Sequence, residues 1–161
     1  MTFARRTFAA TVTGLALMAS LPPVSMAQGQ TDTASIRQTL QRYEQALNRS
    51  DTAAIVALYT QDGVQMAPDA PAAVGREGVR AAYDATFKAI ALNLRFTVDE
   101  IQLVGKNTAL LRSHSTGTLK VQGAEAPATP ANFKELFVLR QQADGQWKFS
   151  HYAFSGAPAQ H

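Results

Sequence analysis

At Asn93 the hydrophobic period of this chain changes from that of a helix to that of a strand, and it does not change back. Before that point, Ile36, Leu40, Tyr43 and Leu47 recur at spacings of four, three and four, which sets them on one helical face. Asn48-Arg49-Ser50-Asp51 interrupts that helix with weak helix formers, and Ser50 or Asp51 can cap a second one carrying Ile55, Leu58 and Tyr59. Asp62, in Thr60-Gln61-Asp62-Gly63, is expected to shape the turn that follows. Residues 67–75 hold two prolines and a glycine and read as a loop. A third helix is expected at about 76–91, where Val79, Tyr83, Phe87 and Ile90 share a face.

Beyond Asn93, Leu94, Phe96 and Val98 alternate with Arg95, Thr97 and Asp99, the signature of a half-buried strand. Gly105-Lys106-Asn107 is a turn into a long strand over 108–121, one face of which carries Leu110, Arg112, His114 and Thr116 and the other Ala109, Leu111, Ser113 and Ser115. A loop at 123–130 precedes strands 133–141 and 147–154, which flank Asp144-Gly145, a strong hairpin signal. Three helices followed by long antiparallel strands make an α+β domain.

The first 27 residues read as a signal peptide: Arg5-Arg6, an apolar run from Phe8 to Leu21, Pro22-Pro23, then Ser25 and Ala27 before the cut. That run is shorter than the roughly 20 residues of a membrane span, so no membrane association is expected once it is removed. The arginine pair also fits a twin-arginine signal, which leaves the export route to the periplasm or beyond open between the two systems. Residues 28–34 read as a polar lead-in, 35–156 as the folded domain and 157–161 as a tail. The leader takes two of the 15 basic residues and none of the 12 acidic ones, leaving 13 against 12. Such a balance gives no electrostatic footprint for nucleic acid. There is no cysteine, which removes disulfides, thiolate metal sites and thiol nucleophiles, and the three histidines are scattered.

The order of elements, the close DGQWKF and Tyr152, and the segment from Gln41 to Pro68 resemble the nuclear transport factor two-like superfamily, the last of these ketosteroid isomerase in particular. STGTLKVQG and NFKELFVLRQQADGQWKF resemble a secreted bacterial branch of it. The resemblance implies three N-terminal helices packed on a strongly curved, mostly antiparallel sheet that forms a cone with an apolar pocket. It also implies that Tyr43 and Glu135 stand at oxyanion-donor positions. The position of the proton-abstracting aspartate is occupied by Ala67, with Asp69 two residues on. Negligible ketosteroid isomerase activity is therefore expected.

The resemblance also implies that the face carrying Arg112, His114 and Thr116 lines the pocket; Tyr59, Met66, Tyr152 and Phe154 are expected to supply apolar wall, and His151, on the opposite strand face from Tyr152, to lie outside it. Each has a plainer alternative: Tyr43 as a core tyrosine, Glu135 on the solvent face or paired with Arg112 or Arg140, His114 as a hydrogen-bonded structural residue. Two functions follow. One is an exported binding module for a small, partly apolar ligand. The other is an isomerase, dehydratase or cyclase that uses Tyr43 and Glu135 as donors and His114 or Asp69 as base. Neither needs a metal or organic cofactor. Apolar residues on both faces of strand 133–141 point to a homodimer through the sheet.

Overall fold

The computed structural model describes residues 24–158. Most of the expected leader and the last three residues of the expected tail lie outside the described residues. Helix α1 (Val24–Asn48) is followed by α2 (Thr52–Ala57), β1 (Tyr59–Met66), the two-residue β2 (Ala73–Val74) and α3 (Gly75–Ala89). Four long strands complete the chain: β3 (Ile90–Gly105), β4 (Thr108–Val121), β5 (Thr129–Gln141) and β6 (Trp147–Gly156). The helices pack on one six-stranded curved, unclosed sheet of order β2-β1-β6-β5-β4-β3, antiparallel except for the β1–β6 pair. This is the α+β cone that the resemblance implies.

The stripe Ile36, Leu40, Tyr43 and Leu47 is buried as its spacing demands, and it docks α1 on the inner face of the sheet. The helix starts earlier than expected. Residues 28–34 are helical rather than a polar lead-in, because Asp32 is buried and its Oδ1 accepts hydrogen bonds from Trp147 Nε1 at 3.2 Å and Gln141 Nε2 at 3.1 Å. At the other end Ser50 turns the chain with φ 54° and Asp51 caps α2 by accepting from the Ala54 N–H. Asn48 and Glu44 then reach β3, an edge strand. Asn48 exchanges two hydrogen bonds with the Leu94 backbone, at 2.7 and 2.8 Å, and Glu44 accepts from the Phe96 N–H at 2.7 Å. Helical side chains thus satisfy edge groups that another strand would otherwise pair.

Three local expectations change. Tyr59 begins β1 instead of ending the second helix, and Asp62 lies within β1 as an exposed partner of Arg140 at 3.3 Å rather than in a turn. The strand bulges between Tyr59 and Val64, where Gly63 has no room for a Cβ beside the Tyr59 ring. The loop after β1 holds β2, which pairs back on Val64 and Gln65. Near the far end of the β3–β4 pair, a Cβ on Gly117 would collide with the Asn93 carbonyl oxygen, so the two backbones approach closely there.

Candidate functional site

Between α1, α3, the 67–71 loop and the inner face of the sheet lies a cavity of ≈ 510 Å³, a size that suits a small organic molecule. Its floor is aromatic. Tyr152 stacks flat on Phe137 with centroids 4.2 Å apart, and Phe154 continues the stack 5.3 Å from Tyr152. Ala82 and Ala85 of α3, Leu92 of β3 and Leu119 of β4 supply apolar wall. These four positions follow from helix and strand phase, with the last two lying beyond the Gly117 approach.

Tyr43 projects from the buried stripe of α1 into this space, and its ring meets Phe96, Phe149 and Tyr152 edge-on. Its hydroxyl lies 2.8 Å from the Tyr83 hydroxyl, which in turn lies 3.3 Å from that of Tyr59. Burial pushes the Tyr43, Tyr59 and Tyr152 hydroxyls well above the ordinary tyrosine range, and Tyr83, which its two hydroxyl partners hold back, up to about 12. All are neutral near pH 7 and able to donate. Tyr59 is fully buried behind Tyr83 and does not line the cavity, which corrects its expected place in the wall.

Glu135 is buried, 3% exposed, on the inner face of β5. Its two oxygens each accept from a serine of β4, Oε2 from Ser113 and Oε1 from Ser115, both at 2.5 Å. Desolvation raises its pKa and the serine donors oppose the rise. Neither Arg112 nor Arg140 is its partner. With both oxygens accepting, the carboxyl is arranged as a proton or hydroxyl acceptor; the oxyanion donor that the resemblance implies requires it to hold a proton, which its raised pKa favours.

Arg112, His114 and Thr116 are not in the cavity. β4 turns Ala109, Leu111, Ser113 and Ser115 inward, since burying two serines that can bond Glu135 is far less costly than burying a guanidinium. Outside, Arg112 pairs with Glu100 at 3.3 Å and His114 Nδ1 lies 2.7 Å from Asp99 Oδ1. Met66 is likewise 40% exposed, and its neighbour Gln65 takes the inward position. Ala67 lines the cavity, while Asp69, at φ 56°, is exposed on the loop. Tyr152 and Phe154 are in the wall, and His151 does not line it. Among the cavity-lining residues Glu135 is the one carboxylate, and none carries an imidazole. Among the described residues no group of three or more His, Asp and Glu side chains is placed to hold a metal ion. Sequence reasoning missed Gln65 and Ser115, whose inward phase depends on the β1 bulge and on the partner strand.

The SnoaL-like domain family matches residues 40–149, which include α2, α3 and all of β1 to β5. The chain belongs to this family. Among solved structures, this SnoaL-like domain is similar to a ketosteroid isomerase-like protein from Erwinia carotovora atroseptica, at 34% identity and TM-score 0.74 over 78% of this chain and 96% of that one. A candidate scytalone dehydratase from Novosphingobium aromaticivorans shares the fold at 16% identity and TM-score 0.72, over 83% of this chain and 89% of that one. A protein of unknown function from Mycobacterium tuberculosis does so at 22% identity and TM-score 0.68, over 86% and 78%. No curated protein matched the chain in sequence. The SnoaL-like cone thus has enzyme-like neighbours as well as neighbours without an assigned function.

Proposed function

We propose that this SnoaL-like domain is an exported binding module that holds a small, largely apolar molecule in its cone, with Tyr43, Tyr83 and Glu135 fixing a polar group. The observation that carries the reading is the cavity itself: an aromatic floor and aliphatic walls, with a few convergent hydroxyl and carboxyl groups. Export rests on the leader pattern of residues 1–27. A base of the ketosteroid isomerase kind has no support, because Ala67 offers nothing to take a proton and Asp69 is turned to solvent.

One observation favours a second reading. Glu135 lies in the cavity wall with both oxygens arranged as acceptors, so it rather than His114 or Asp69 is the residue to act as base in a cofactor-independent isomerase, dehydratase or cyclase. The likeness to the ketosteroid isomerase-like and scytalone dehydratase-like structures is compatible with it.

The two are separated by titrating the mature protein with 2-naphthol and with an unsaturated ketosteroid, and by following turnover of the latter. Binding that weakens on Tyr43→Phe, with turnover at background, supports the binding module. Turnover lost on Glu135→Gln supports the enzyme. Ala67→Asp adds a second carboxylate to the cavity wall and is expected to raise turnover on the order of a hundredfold if the cone already orients the steroid.

A further inference from the structure

Gln65 precedes Met66 at the end of β1, and it faces the same side of the sheet as Tyr152, its neighbour across the β1–β6 ladder. It is 5% exposed and lines the cavity. Among the described residues nothing hydrogen-bonds its side-chain amide, although the backbone around it is paired on both sides, with Ala73 of β2 and Tyr152 of β6. A primary amide brings two N–H donors and an acceptor oxygen. With no protein group bonded to it, that amide stays open to the cavity and available to a bound molecule, where leucine or methionine would fill the same space with no such capacity.

The sheet order gives this amide a definite relation to Glu135. Gln65 is on β1, Glu135 is on β5, and β6 runs between them, with Tyr152 beside the one and Phe154 beside the other. Two inter-strand spacings across the sheet and a two-residue offset along β6 set their backbones about 12 Å apart. The stacked rings of Tyr152 and Phe154 form the apolar strip between the two polar groups.

We propose that Gln65 is a second recognition residue of the cavity, and that the ligand is a flat, apolar-bodied molecule with hydrogen-bonding groups on opposite edges. This rests on the reading of the cone as a ligand site. One edge carries the hydroxyl or carbonyl that meets Tyr43 and Glu135. The other carries a donor and an acceptor side by side, as in a carboxamide, lactam or carboxylic acid, because that is the complement of a glutamine amide.

Two measurements test it. The first needs no ligand: Gln65→Met keeps the length and apolar volume of the side chain but removes the amide, and, since no protein group bonds that amide, is expected not to lower the melting temperature of the empty protein. A midpoint lowered by more than about 5 °C, the mark of an amide that holds the fold together, overturns the proposal. The second compares 2-naphthol with 6-hydroxy-2-naphthamide by calorimetry. Wild type is expected to prefer the amide by about three- to tenfold, the contribution of a neutral hydrogen bond, and Gln65→Met to bring that ratio close to one. Equal affinities in wild type overturn the role of Gln65 while leaving the cavity as a ligand site. Uptake of neither compound overturns both.

Discussion

Ser113 and Ser115 hold the carboxyl of Glu135 from one side while burial strips it of water, and the balance leaves its pKa above the ordinary glutamate range. An acid whose folded-state pKa is raised contributes stability that is fully present below its unfolded value, about 4.3, and is lost as pH rises through the folded value. Wild type should therefore lose stability over that window relative to Glu135→Gln, which cannot titrate. Urea midpoints of both proteins from pH 4 to 8 check this, and parallel curves would contradict it. The chain's four tyrosines are Tyr43, Tyr59, Tyr83 and Tyr152, all buried. Tyrosinate absorbance should stay absent past the usual range near pH 10 and then appear together with unfolding. Tyr43 was legible in the sequence because a 3.6 period with Ile36, Leu40 and Leu47 fixes its direction. The inward face of β4 was not, because strand phase turns on a single residue and Ser113 and Ser115 look no more apolar than Thr116 until Glu135 is seen between them.

Where α1 meets β3, two polar side chains of a helix stand in for a missing neighbour strand. Asn48→Ala removes both bonds to Leu94 and should cost about 1–3 kcal/mol, read as a shift in urea midpoint at constant slope. Gly117→Ala should destabilise by a similar 1–3 kcal/mol or so through overpacking, because the new methyl meets the rigid carbonyl of Asn93. The hairpin at Asp144-Gly145 and the limits of β4 could be read from local turn chemistry, with Gly145 at φ 81° as such a turn requires. β2 and the first turns of α1 could not, since each depends on a distant partner: Val64 and Gln65 for β2, and the Asp32 bond to Trp147 for α1.

At the scale of the molecule the outer face of the sheet is mixed. Phe137 and Leu139 are buried inside, whereas Leu136 is 47% exposed outside, in the company of Lys134 and the Asp99–His114 and Glu100–Arg112 pairs. A homodimer through this face remains our proposal, and sedimentation at micromolar concentration is expected to show a dimer that Leu136→Lys converts to monomer. A wild-type monomer would end it. The anchoring of α1 has an optical consequence. Trp147 is the chain's one tryptophan, 2% exposed, bonded through its indole N–H to Asp32 and absent from the cavity wall. Its fluorescence will therefore report release of the first turns of α1 as a red shift, and should respond little to whatever fills the cone.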